Sequence, residues 1–356
     1  MTILYILFAI LIFSFLIFVH ELGHFLAAKR LGVQVNEFAI CMGPVLWQKK
    51  KGETVYSIRA IPIGGFCAME GEDEDSQNPR AFTSVAWWRR MIILVAGSFM
   101  NFAAGFLIVL ILMSSYGAIQ NNDITRIYDG AAIGAPGGLQ EGDVFYKIDG
   151  ERVYIEDDIR MLLERNSTGV FDLVVLRGGE KVFLNDYAME KQYFEIDGET
   201  RYLYGFEYGS VADKTVGSVL RYSWNNSMDF VRLVRLGLQD LLTGKVGVND
   251  MSGPVGIVSV ITQTGESAQT VGMGVVNVLY LAAFIAINLA VMNMLPIPAL
   301  DGGRVLCLLL TTAVEKLTRK KLNPKYEGYL HAAGMIVLLA FMAYVSFHDI
   351  FKLFKG

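Results

Sequence analysis

The chain has 356 residues, 53% of them hydrophobic and 19% charged, and its mean hydropathy of +0.40 is high for a water-soluble domain. A net charge of −4 and the absence of a long Lys/Arg run exclude a nucleic-acid partner. The cysteines Cys41, Cys67 and Cys307 are odd in number and lack metal-type pair spacing, so they read as structural.

The apolar residues gather into four blocks, 3–28, 91–116, 271–295 and 330–351, each near the ~20 residues that cross a hydrocarbon core as a helix. The first lacks a positive n-region and a cleavage site and is too long for a signal peptide, so it reads as a retained helix. The expected fold is a polytopic α-helical membrane protein with about four transmembrane helices in a lipid bilayer, a cytoplasmic-side β-hairpin region and an inserted extracytoplasmic α+β domain.

In chain order this gives a first transmembrane helix over 1–30, a membrane-associated β-hairpin loop over 31–90 and a second helix over 91–117. An outer domain over 118–208 and a segment over 209–270, an amphipathic helix with a connector, follow. A third helix over 271–303, a cytoplasmic helix over 304–328 and a fourth span over 329–351 complete the chain. Lys29, Arg30, Lys49, Lys50, Lys51, Arg59, Arg80, Arg89 and Arg90 make the first loop cytoplasmic, and Arg304, Lys316, Arg319, Lys320, Lys321 and Lys325 do the same for the loop after the third helix. Both termini and the long outer segment then lie outside.

The first loop alternates β-branched and aromatic runs with Gly43-Pro44, Lys51-Gly52 and Gly64-Gly65, which reads as hairpins. The acidic run 70–75 reads as a solvated turn. In the outer segment, short β-rich runs at 144–148, 171–176 and 181–184 flank a helical pattern at 155–165. The stretch Gly138-Leu139-Gln140-Glu141-Gly142-Asp143, followed by Val144 to Gly150, resembles the loop and strand of a PDZ domain, which binds extended peptides by strand addition. From 216 to 242 apolar residues recur at helical spacing beside Arg221, Arg232 and Arg235, which suits a helix on the outer membrane surface or one packed on the outer domain.

The chemistry concentrates in His20-Glu21-Leu22-Gly23-His24. Four residues of α-helix bring the two imidazoles to within about 40° of each other, aimed at a common point. That suits two zinc ligands, with Glu21 placed to take a proton from an activated water. Ionisable groups inside a span cost some ~2.5 kcal/mol or more each, so a function must offset them.

Catalytic zinc usually takes three protein ligands, and Asp301 is the favoured third. It follows Pro296 and Pro298, which break the third helix, and precedes Gly302 and Gly303. Broken backbone at membrane depth lines a site. His24 lies about 7 Å from the inner end of the first helix, and Asp301 precedes Arg304 by three residues, so topology brings both to one leaflet. His331 is the competing ligand. Asn293, just before the first proline, is placed to hold an unwound substrate backbone or to cap the broken helix. Asn101 reads as packing the second helix through its small residues and an interhelical hydrogen bond, outside the site.

With His20-Glu21-Leu22-Gly23-His24 and Leu300-Asp301-Gly302 placed, the chain resembles the site-2 protease family of intramembrane zinc metalloproteases, in its bacterial RseP/RasP branch with a single PDZ domain. The likeness extends to Ile61-Pro62-Ile63-Gly64-Gly65-Phe66, Asn78-Pro79-Arg80-Ala81-Phe82 and 292–304. The resemblance implies a Zn2+ metalloendopeptidase of the bacterial cytoplasmic membrane, active near the cytoplasmic leaflet. It implies the second cut in regulated intramembrane proteolysis, after a separate site-1 protease. The substrates would be pre-trimmed single-span proteins such as anti-sigma factors, or signal-peptide remnants. By the same resemblance His20, His24 and Asp301 are zinc ligands, Glu21 the general base, and Asn293, Gly64 and Gly65 contacts to a substrate strand. The alternatives from other classes are an ion or metal transporter, which would work without Glu21, and a noncatalytic PDZ scaffold, against which the intact residue set speaks.

Overall fold

The computed structural model describes residues 2–72, 76–115, 119–134, 137–196, 198–247, 251–319 and 325–355. The chain divides into two compact units, Met1–Ile108 with Leu233–Gly356, and Val109–Arg232. Positions 73–75 of the acidic run and 320–324 of the second basic cluster lie outside the described residues.

Among the described residues, four helices are long and apolar enough to cross a membrane: α1 (Thr2–Arg30), α2 (Trp87–Ser115), α6 (Val271–Asn293) and the stretch Gly328–Phe351 of α8 (Lys325–Lys355). They fall on the blocks that hydropathy marks. Between them lie α3 (Asp157–Arg165), α4 (Val216–Leu242), α5 (Pro254–Glu266) and α7 (Asp301–Thr318). The protein is a multi-pass membrane protein with an added β-rich part.

In the first unit, α1 packs through Tyr5, Ala9, Ile12 and Leu16 against Ile261 of α5 and Val278, Ala282 and Ile285 of α6. From sequence, residues 254–266 read as part of a connector; they form α5, opened by Pro254 at its first turn, where a missing N–H costs nothing. Thirteen residues are too few to span the bilayer. Asp349 of α8 accepts the N–H groups of Gly253 at 2.8 Å and Gly256 at 2.9 Å, closing the start of α5.

The first loop forms one long hairpin, β1 (Val35–Lys51) and β2 (Thr54–Met69). Its register doubles back. Residues 37–40 of β1 pair with 55–58 on one side and with 65–68 on the other, so the last part of β2 becomes a separate edge. Val35, Phe38, Cys67 and Met69 join Ala28 of α1, Ile93 and Leu94 of α2 and Leu308 of α7 in one apolar cluster. Around the Met42–Ile61 pair, away from the Lys51–Thr54 turn, Met42, Val45, Leu46, Trp47 and Ile61 are exposed, an apolar patch that is unusual on a water-facing hairpin.

The second unit is built on an antiparallel sheet of order β6-β5-β7-β8, formed by β5 (Val144–Ile148), β6 (Glu151–Arg152), β7 (Val170–Arg177) and β8 (Glu180–Ala188). Short pairs join β3 (Ile119–Gln120) to β12 (Val211–Ala212) and β4 (Ile124–Ile127) to β11 (Phe206–Tyr208), while β9 (Gln192–Ile196) pairs with β10 (Glu199–Leu203). Phe145, Ile148, Ile159, Leu163, Phe171 and Leu173 form its core. The Gly138–Asp143 turn is held by Asp143, which takes Arg177 Nε at 2.8 Å and the Gln140 N–H at 2.9 Å.

The unit extends to Arg232 and so includes the first part of α4. Tyr222 donates to Glu156 and Asn225 to the Tyr154 carbonyl, while Arg232 pairs with Asp158 and Asp229. This part of α4 is therefore packed on the unit, and its buried face is largely polar. Val216, Leu220 and Trp224 remain an exposed apolar stripe.

Candidate metal centre

α1 is an uninterrupted helix, so His20 and His24 present their Nε2 atoms side by side, 3.2 Å apart. Asp301 arrives from the opposite end of the sequence. α6 ends at Asn293, residues 294–300 form an irregular turn, and α7 begins at Asp301. Pro296 and Pro298 cannot continue a helix, which forces this break. The turn folds directly onto the start of α7: a Cβ on Gly302 would stand 2.3 Å from Met294 O, and one on Gly303 2.3 Å from Ile297 O. Only glycine fits at either place. Ala299 closes the turn at φ 87°, and its N–H donates to Nδ1 of His331 at 3.2 Å.

Asp301 Oδ2 thus stands 3.2 Å from His20 Nε2 and 3.4 Å from His24 Nε2. Among the described residues these are the one group of His, Cys, Asp and Glu whose donor atoms converge as a metal-binding set. Asp301 Oδ2 is buried and makes no hydrogen bond of ordinary geometry there. Ligands about 2.1 Å from a tetrahedral zinc stand about 3.4 Å apart, so two nitrogens and an oxygen at these separations fit the ion.

Glu21 projects from the same turn of α1 toward the edge of β2, with the Cys67 backbone near its carboxylate. A Cβ on Gly65 would lie 3.6 Å from Glu21 Cγ, so that strand edge borders the carboxylate. Gly64 turns away at φ 85°, toward the Met42 side chain. Asn293 is the half-buried last residue of α6, at the lip of the broken turn. His331 is not among the converging donors.

α2 supplies what sequence reasoning left out. Ile93 O accepts Nδ1 of His24 at 2.8 Å, and the Asn101 amide lies 3.4 Å from Nδ1 of His20. A buried Asn in an apolar span was the available signal.

Membrane-spanning helices that carry a two-histidine, one-carboxylate cluster beside a glutamate define the class of intramembrane metallopeptidases. The chain belongs to peptidase family M50, the site-2 proteases, whose model matches residues 8–341. It is an intramembrane zinc metalloprotease, with Zn2+ as its cofactor. A Clostridium perfringens protein named "Putative zinc metalloprotease" is 34% identical to it over 98% of both chains. The regulator of sigma-W protease RasP of Bacillus subtilis is 28% identical, covering 97% of this chain and 98% of its own. The zinc metalloprotease RasP of Bacillus licheniformis is 29% identical, covering 97% and 98% respectively.

Proposed function

We propose that His20, His24 and Asp301 hold the zinc, that Glu21 is the general base, and that Asn293, Gly64 and Gly65 contact an extended substrate strand. The carrying observation is the convergence of three donor atoms from opposite ends of the chain, one residue from Glu21. When bound, zinc supplies a Lewis acid that polarises the scissile carbonyl and lowers the pKa of a water to about 7.

The protein groups do the rest. Glu21 takes the proton from the attacking water and later hands it to the leaving amine nitrogen. The edge of β2 beside Glu21, at Gly65 to Cys67, limits where its carboxylate can swing while it waits. A transmembrane helix hides its carbonyls in internal hydrogen bonds, so the substrate must unwind before it is cut. The edge of β2 at Gly65 offers backbone partners for the unwound strand, and the Asn293 amide takes its far side. The exposed apolar patch at Met42, Leu46 and Trp47 suits a region dipping into lipid.

In this reading the basic loops face the cytoplasm and cleavage falls near the inner leaflet. Residues 118–208 are a PDZ domain on the outer face, where it meets substrates. The substrates are single-span proteins already trimmed by a separate site-1 protease: anti-sigma factors, by analogy with the regulator of sigma-W relative, or signal-peptide remnants. The decisive test is cleavage of a single-span reporter by Glu21→Gln. The expected result is a fall of at least about 100-fold with zinc content unchanged; normal cleavage sinks the mechanism.

A further inference from the structure

α2 meets the two imidazoles with three residues at four-residue spacing, Ile93, Gly97 and Asn101, which share one face of a helix. Ile93 O fixes His24 through Nδ1. At Gly97 there is no room for a side chain, since a Cβ would stand 2.3 Å from His24 Nε2 and 2.8 Å from His20 Cε1. Asn101, 1% exposed, brings its amide to His20 Nδ1, while its Oδ1 has no hydrogen-bond partner among the described residues.

An imidazole that gives Nε2 to a metal carries its proton on Nδ1, and that N–H needs an acceptor. His24 already has one. For His20 the nearby polar group is Asn101, whose amide presents either a donor or an acceptor after a half-turn about χ2. We infer that Asn101 is a positioning residue, whose side-chain oxygen accepts the Nδ1–H of His20 in the metal-loaded site and fixes that ring's tautomer and direction. α2 is then the supporting wall of the centre, holding both imidazoles from behind so that both Nε2 atoms face Asp301. The inference rests on His20 being a ligand, as proposed above.

Acceptor capacity and packing make opposite demands at this position, so substitutions separate them. Asn101→Leu keeps the size and removes the acceptor. Asn101→Asp keeps the size and supplies a stronger acceptor. Zinc affinity, read by competition with a chelator on the full-length protein in micelles, should fall about 10- to 100-fold in Asn101→Leu and Asn101→Ala, the usual effect of losing such a partner. In Asn101→Asp it should stay within a few fold of wild type. Reporter cleavage at saturating zinc should lose kcat rather than gain KM in the Leu variant. Melting of the zinc-free proteins gives the packing contribution alone. Leu binding zinc like wild type, or Asp losing it as Leu does, overturns the inference; should Leu not fold, Ala against Asp makes the same comparison. His20→Ala distinguishes the two levels: if it retains zinc the proposed ligand set fails, and if it loses zinc while Asn101→Leu does not, only the role of Asn101 fails.

Discussion

Arg304 of α7 is ion-paired with Glu72, just beyond the end of β2. The pair ties the helix that begins with Asp301 to the strand whose edge borders Glu21. Both side chains are mostly shielded, 25% and 16% exposed, so solvent screens the pair only partly. Replacing Glu72 by Arg should impair reporter cleavage, and the exchange Glu72→Arg with Arg304→Glu should restore much of it. A double-mutant cycle should return a coupling of about 0.5–3 kcal/mol; additive effects would mean the contact does not align the site.

Gly97→Ala pushes a methyl group into both imidazoles. Overpacking of this kind costs about 1–3 kcal/mol, which corresponds to roughly a 5- to 150-fold loss of zinc affinity if it is absorbed by ring displacement. Zinc content after dialysis against a weak chelator measures it. Full retention would show that α2 can move away from α1.

The turn 294–300 has its own lock. A non-glycine residue at positive φ costs about 1–3 kcal/mol, and Ala299 is held at 87° by its hydrogen bond to His331. His331→Phe keeps the bulk without the acceptor and should lower cleavage about tenfold, whereas His331→Asn should retain most of it. Ala299→Gly, which suits that φ, should partly rescue the Phe variant. Equal activity of the Phe and Asn variants would show that only bulk matters.

In the second unit, burial, and then the nearby Asp158, push the Asp229 carboxyl up to about 8, with Arg232 pulling the other way. A carboxyl raised in the folded state stabilises it fully below the unfolded value of 3.8, and that contribution is lost as pH rises through about 8. Limited proteolysis of the full-length protein should therefore cut near α3 and the start of α4 faster at pH 9 than at pH 6. The proteolytic enzyme's own pH response is corrected with a control substrate. Asp229→Asn should flatten the trend; an unchanged slope would mean another group sets it.

Local pattern and remote contact were unequally legible in the sequence. The spans, α4 and the strands β5, β7 and β8 are written in short-range periodicity, whereas the short strands that pair the ends of the second unit are not. His20, Glu21 and His24 are legible because one helix carries them, and Asp301 because prolines and glycines punctuate its turn. What escaped depends on which distant segments meet. For Asn101 packing and an interhelical hydrogen bond were legible, but no periodicity shows that its partner on α1 is His20. The acidic run was read as solvated, yet Glu72 has a partner more than two hundred residues away. α5 escaped because a short apolar segment between glycines and serines has no length signal, and only its burial against α1 and α6 defines it.

The donor atoms of the metal cluster lie at positions 20, 24 and 301. A nascent chain inserts its histidines first and must thread nearly everything else before the carboxylate emerges from the ribosome. In the proposed ligand set, the third donor is absent until α7 is in place. The cluster therefore cannot assemble on the first span alone, and of the candidate spans only the one in α8 follows the carboxylate in the order of synthesis.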